Sequence, residues 1–352
     1  MMRAALALAR RSLGRTWPNP AVGCVIVGDG IVVGRGRTRD GGNPHAEVDA
    51  LGQAGERARG ATVYVTLEPC SHHGKSPPCA EALIKAGVAK VVSAMEDPFP
   101  EVNGRGHEML RAAGIAVEVG EGAKEAAAIN AGFLVHVREG RPLVHLKLAT
   151  SLDGRIATAA GDSKWLTGEA ARAEAHRLRA THDAVLVGAG TARADNPDLT
   201  CRLPGLAKYS PVRIVLDSRA SLPPSSKLGQ TARSTPVWLV CLETARTEAL
   251  QACGVEIIRM AEMDAAAILR ELGQRQITRL LVEGGGEVAS SFLKADLVDR
   301  ISVFRAGAVL GGDGRSAVAA LGVGRLDFAP RFALNSSRIV GGDTLETWRR
   351  AP

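Results

Sequence analysis

Two successive α/β domains are what this sequence predicts, and three features predict them. The chain has 352 residues, more than one hydrophobic core usually serves. Apolar β-branched runs alternate with helical patterns from end to end, the mark of sheets layered with helices. One helical stretch runs into Gly140 and Pro142, at Arg138-Glu-Gly-Arg-Pro142, before a new apolar run begins, which marks a joint.

The domains are therefore expected at 1–142 and 143–352. In the first, 22–27, 31–33, 63–67, 88–94 and 115–119 read as strands, and 46–56, 79–86, 104–113 and 123–137 as helices. Ahead of them, the apolar run 4–9 is too brief for a signal core and is followed at once by arginines, so an amphipathic first helix is expected instead of a targeting peptide. In the second, strands are expected near 143–149, 183–187, 212–216, 236–240, 255–258, 279–282 and 298–304, with helices near 169–180, 243–252, 262–272 and 286–294. The polar, Pro-rich stretch 218–236 reads as a surface loop inside that domain. No apolar run approaches transmembrane length.

Hydrophobic residues at 45% and charged residues at 23% suit a globular protein and exclude a disordered one. The net charge of +7 is spread out: residues 1–142 hold 17 Lys+Arg against 15 Asp+Glu, leaving 27 against 22 for the remainder. With no basic block, and only two Tyr, six Phe and four Trp to stack on bases, neither nucleic acid nor a membrane is an expected partner. A small phosphorylated ligand fits this balance better. Six cysteines without a regular framework predict reduced thiols and a cytoplasmic setting. The sequence leaves the assembly of the chain open, a homo-oligomer being one of the expectations.

The strongest chemical signal is His45-Ala46-Glu47 followed by Pro69-Cys70 and Cys79. One imidazole and two thiolates suit tetrahedral zinc and cancel its charge, and three protein ligands leave the fourth position open, as catalytic sites require. Cys79 opens a helix, whose positive end favours the thiolate. Glu47 stands two residues from His45, and side chains so spaced on a helical turn diverge, so Glu47 is free to handle protons instead of binding the metal. His72 and His73, between the cysteines, are the alternative ligands. Cys24, Cys201, Cys241 and Cys253 read as core thiols.

The pattern of His-x-Glu and Pro-Cys resembles the cytidine/deoxycytidylate deaminase superfamily, although eight residues, 71–78, separate the cysteines where two are common. The surrounding text, Thr16-Trp-Pro-Asn-Pro20 and Glu68-Pro-Cys-Ser-His-His-Gly-Lys-Ser-Pro-Pro-Cys79, is similar to the bifunctional deaminase/reductase family of riboflavin biosynthesis, which carries that longer spacing. The resemblance implies a cytidine-deaminase-like three-layer α/β domain, with zinc on His45, Cys70 and Cys79, Glu47 as catalytic group and Asn19 beside the pyrimidine. Its substrate would be a diaminopyrimidinone carrying a ribosylamino 5′-phosphate.

From its residues alone, the second domain offers Gly188-Ala-Gly190 and Glu283-Gly-Gly-Gly286 after strands, which either cradle a phosphate or serve tight packing. The series Lys147-Leu-Ala-Thr-Ser-Leu-Asp-Gly-Arg155, Ser163-Lys-Trp-Leu-Thr167, His176-Arg-Leu-Arg179, Val187-Gly-Ala-Gly-Thr191, Asp195-Asn-Pro-Asp-Leu-Thr-Cys-Arg202 and Val282-Glu-Gly-Gly-Gly286 resembles the reductase half of the same family. That implies a dihydrofolate-reductase-like α/β domain using NADPH. The cofactor contacts so implied are Ala149, Trp165, Thr191, Asp195, Ser218, Gly285, Gly286, Glu287, Val288, Ala289, Ser290 and Ser291. Ser163, Arg179, Leu199, Arg202 and Glu283 would hold the substrate, the two arginines at its phosphate, with Lys147 and Asp195 near the reacting sugar carbon. Two competing readings are a nucleoside or tRNA-type deaminase with a ligand-binding second domain, which lacks the basic face it would need, and a binding protein that senses a flavin precursor.

Overall fold

Helix α1 (Met2–Arg10) buries Met2, Ala5, Leu6 and Ala9, one stripe at helical spacing, against the first sheet. Gly23 makes that seat possible: a Cβ there would lie 1.9 Å from the Ala5 carbonyl oxygen. The computed structural model that shows this describes residues 1–73 and 77–351. It divides into two compact units, Met1–Arg141 and Pro142–Pro352.

In the first unit, β1 (Gly23–Gly28), β2 (Ile31–Arg37), β3 (Thr62–Val65), β4 (Lys90–Ser93) and β5 (Ala116–Val119) form one sheet in the order β2-β1-β3-β4-β5. The hairpin β1–β2 and the pair β1–β3 are antiparallel, whereas β3, β4 and β5 run parallel. Helices α2 (Ala46–Ala54), α3 (Cys79–Ala86) and α4 (Arg105–Ala112) bury Ala50, Leu83 and Leu110 on one face. On the other face lie α1 and α5 (Ala123–Ile129), which completes three layers. The sequence predicted one helix over 123–137, but Asn130 breaks it into α5 and α6 (Ala131–Glu139). Its side-chain amide leaves the helix line to take the Ala21 N–H at 2.8 Å and to donate to the Ala21 carbonyl at 3.1 Å.

The second unit is built on a nine-stranded sheet. Its strands β6 (Leu143–Thr150), β8 (Ala184–Gly188), β9 (Val212–Leu216), β10 (Val237–Leu242), β11 (Glu256–Met260), β12 (Arg279–Val282) and β13 (Arg300–Arg305) are parallel, in the order β11-β10-β9-β8-β12-β6-β13. Such strands are covered on both faces, and their runs accordingly read as continuously apolar. Helices α7 (Glu169–Ala180), α8 (Ala189–Asp195), α9 (Lys227–Gln230), α10 (Glu248–Ala252), α11 (Ala265–Gln274) and α12 (Gly286–Lys294) connect them. Three features depart from the expected pattern. A hairpin, β15 (Phe332–Val340) and β16 (Asp343–Arg350), extends the sheet beyond β13, and a short pair, β7 (Arg155–Ala157) with β14 (Arg315–Ser316), stands apart. The stretch 218–236 is also more than a surface loop, since Leu222 and Leu228 enter the core. Among the described residues no helix is long and apolar enough to cross a membrane.

Candidate active sites

Two helix starts and one strand end converge in the first unit. His45 caps the N-terminus of α2, Cys79 is the first residue of α3, and Cys70 follows β3. Helix α2 can sit this low because Gly36 of β2 carries no Cβ; one there would lie 2.0 Å from the Ala46 carbonyl oxygen. The Nδ1 of His45 stands 3.6 Å from Cys70 Sγ and 3.3 Å from Cys79 Sγ. The ligand atoms of His45, Cys70 and Cys79 all lie within 4.8 Å of one another. Two ligands of tetrahedral zinc, one nitrogen and one sulfur, stand about 3.6 Å apart, so this donor set fits that ion.

The protonation chemistry asks for a cation as well. Cys70 accepts a hydrogen bond from the Cys79 thiol, as well as from its backbone N–H at 3.3 Å, and these hold the Cys70 thiol far below the ordinary range. The same shared hydrogen bond, together with burial, pushes Cys79 up. A divalent cation relieves that competition by letting both sulfurs be thiolates. Glu47, buried beside them, hydrogen-bonds Cys79 and is not one of the three clustered ligands. Burial first, and then the Cys70 charge, push its carboxyl up to about 7. His72 and His73 stand outside the cluster: His73 pairs with Glu81 at 3.2 Å, and the His72 ring lies 6.0 Å from that of Phe99. The remainder of the quoted loop, residues 74–76, lies outside the described residues. Asn19 lies along the segment that leads into His45, its amide packed so closely on Gly42 that a Cβ there would fall 1.9 Å from Nδ2.

In the second unit a cleft of 1310 Å³ opens where β6, β8 and β12 end, at the point where the strand order reverses. Parallel sheets offer their ligand crevice at this place. Register pairs Val282 with Leu146, which brings Glu283 beside Lys147 on the floor. Arg179 grips Glu283 through two bonds, Nε to Oε1 at 2.6 Å and Nη2 to Oε2 at 2.9 Å, with Lys147 Nζ 4.0 Å away. Burial works against the Glu283 charge, yet Arg179 and then Lys147 outweigh it and hold the carboxyl down at about 2. Burial in turn lowers the Lys147 ammonium, opposed by Glu283. Lys164, Arg172, His176, Lys227 and Arg315 also line the cleft.

Two family models match. The "Cytidine and deoxycytidylate deaminase zinc-binding region" covers residues 1–95 and the "RibD C-terminal domain" covers 142–345. The riboflavin biosynthesis protein RibD of Escherichia coli (strain K12) is 43% identical over 97% of this chain and 96% of its own length. The chain belongs to the RibD family. It is thus a two-activity enzyme, a deaminase followed by a reductase in one polypeptide. Solved RibD relatives agree along the whole chain. Acinetobacter baumannii RibD has a TM-score of 0.91 at 41% identity, covering 100% of this chain and 98% of its own. A diaminohydroxyphosphoribosylaminopyrimidine deaminase/5-amino-6-(5-phosphoribosylamino)uracil reductase from Thermotoga maritima has a TM-score of 0.89 at 37% identity, covering 99% and 97%.

Of the residues implied by the RibD resemblance, Lys147, Ala149, Ser163, Trp165, Arg179, Thr191, Asp195, Leu199, Arg202, Glu283, Gly285, Gly286, Glu287 and Val288 all line the cleft. Ser218, Ala289, Ser290 and Ser291 do not. Each residue of α12 turns about 100° from the last, so the helix carries Ala289 and Ser290 into the core and Ser291 out to solvent. Ser218 lies two residues past the end of β9, where its carbonyl accepts the Leu242 N–H. The glycine turn serves close packing too: a Cβ on Gly284 would lie 2.7 Å from Val187 Cα. Thr191 accepts the Gly285 N–H at 3.2 Å. Arg179, expected at a phosphate, has its fork committed to Glu283 and the Thr200 carbonyl, whereas Arg202 leaves half its side chain exposed. Lys227 and Arg315 were missed because they lie in stretches that carried no recognisable element.

Proposed function

We propose that this chain deaminates 2,5-diamino-6-ribosylamino-4(3H)-pyrimidinone 5′-phosphate and then reduces the product's ribosyl group to ribityl with NADPH, giving 5-amino-6-(5-phosphoribitylamino)uracil. The observation that carries the first step is the convergence of His45, Cys70 and Cys79 with buried Glu47 beside them. A zinc ion on those three donors supplies Lewis acidity for hydrolysis. Glu47 takes the proton of the attacking water on its carboxylate and returns it to the departing amino group. Asn19 holds the pyrimidine.

In the cleft NADPH supplies the hydride, and the protein orients the two ligands and keeps water away. Ala149, Trp165, Thr191, Asp195 and residues 285–288 face the cofactor. Arg202 takes the substrate phosphate. Lys147 presents its ammonium to the reacting sugar carbon, positioned by Glu283, which Arg179 holds in place. A two-step assay on pure, zinc-loaded protein tests the whole reading: the diaminopyrimidinone should lose ammonia, and its product should then drive NADPH oxidation. Absence of either turnover sinks the corresponding half.

We also infer that copies of the chain associate through β15, the edge of the nine-stranded sheet, in a cytoplasmic enzyme with no nucleic-acid or membrane partner. A bulge between Leu334 and Ser336 puts Leu334 and Ile339, 53% and 81% exposed, on one face of that open edge. Ile339→Lys should lower the mass measured by sedimentation, and an unchanged mass removes the interface.

A further inference from the structure

Glu68 stands two residues before the ligand Cys70, and its side chain is buried without touching the ligand set. Its carboxylate is bound by four backbone N–H groups, all from residues 97–107. Asp97 and Gly104 donate to Oε2 at 3.1 and 3.0 Å, and Gly106 and His107 to Oε1 at 2.8 and 3.3 Å. The nearest imidazole, that of His107, lies 4.0 Å off and hydrogen-bonds through neither ring nitrogen, so the amides carry the charge.

Those bonds draw the segment onto the residues around Cys70. Gly106 passes so close to Pro69 that a Cβ would fall 2.0 Å from its carbonyl oxygen. Ser71 Oγ donates to the Glu101 carbonyl at 3.4 Å, and Phe99 faces His72 with ring centres 6.0 Å apart. Of the three ligands, Cys79 is buried while His45 and Cys70 are part-exposed, so the centre opens at His45 and Cys70, and this segment packs on the residues either side of Cys70.

We propose that Glu68 is a positioning residue of the deaminase, fixing residues 97–107 as the wall of the substrate site beside Cys70. It holds the wall at a set height through two oxygens, each accepting two N–H groups. A glutamine of the same length keeps one such oxygen and turns an NH₂ toward the other pair of donors. The inference rests on His45, Cys70, Cys79 and Glu47 being the deaminase centre.

The test is steady-state kinetics of both activities on the full, zinc-loaded chain. Glu68→Gln should raise the deaminase KM about tenfold while kcat moves less than about threefold, with zinc content and reductase activity unchanged. Gly106→Ala, which pushes the same wall from the Pro69 side, should give the same split, and decides the matter if Glu68→Gln does not fold. A KM unmoved in the folded variants overturns the proposal, as does zinc lost in step with activity. Glu47→Gln, measured alongside, separates this inference from the reading beneath it. If that variant stays fully active the centre itself is wrong; if it is inactive and the KM of Glu68→Gln is unmoved, only the positioning role falls.

Discussion

The two sites solve the problem of buried charge in opposite ways. At the first, two thiols and an imidazole crowd within 4.8 Å, and one shared hydrogen bond lowers the Cys70 thiol while it raises that of Cys79. At the second, one carboxylate, Glu283, already holds two cations, Arg179 and Lys147, before any ligand arrives. The first is built to be completed by an ion. The second is built to stay standing while substrate and cofactor come and go, which suits a cleft of 1310 Å³ better than a point of metal chemistry.

The sharpest way to break that contrast is at Glu47. Glu47→Gln should lower deaminase kcat by about 10²–10⁴-fold while zinc content and the reductase persist, checked by metal analysis and both assays. Next, Cys79→Ser should strip zinc and deamination together yet leave NADPH oxidation intact; zinc retained in full would mean the charges at this centre balance without the second thiolate. On the other side, Glu283→Gln leaves Arg179 and Lys147 facing each other, at a cost of about 3 kcal/mol to the second unit and with loss of reductase activity. Denaturant titration measures it, and a cost near zero would show that the cleft's charges are not mutually dependent.

A smaller effect should appear with acid. His145 and His182 meet in the second unit, Nδ1 to Nε2 at 3.1 Å, and burial lowers both, His145 to about 3. Groups lowered on folding contribute stability that is full above their unfolded pKa of about 6.5 and is lost as pH falls below it. Unfolding of this unit should therefore ease by about 2 kcal/mol for each of the two histidines from pH 7 to 5, and a flat profile would remove the linkage. Last and smallest, Ser291→Ala should change the KM for NADPH less than about twofold, because the side chain faces away from the cleft; a larger change would restore it as a cofactor contact.

How legible each site was follows from where its partners lie. His45, Glu47, Cys70 and Cys79 fall within 35 residues, at the starts of helices and the end of a strand that hydrophobic periodicity already marks. Glu68 was in plain view, but its partners are backbone N–H groups, and no side-chain motif announces them. The grip of Arg179 on Glu283 spans 104 positions, so an arginine already bound to a carboxylate looked like one free for phosphate. The parallel strands were visible as unbroken apolar runs. Strand β15 was not, because Asn335-Ser336-Ser337-Arg338 sits on an exposed edge with a bulge that spoils the alternation. Ser290 and Ser291 came from treating the whole turn 285–291 as one contact surface, when the helix begun at Gly286 rotates them away.

The clasp of Asn130 on Ala21 also sets an order in time. It joins residues 109 apart in sequence, and it pins the segment that carries Asn19, Pro20 and Ala21. During synthesis the sheet's first hairpin, β1–β2, can form long before residue 130 leaves the ribosome, but that clasp cannot. The first unit is thus completed by its own last helices, while the second is still being made.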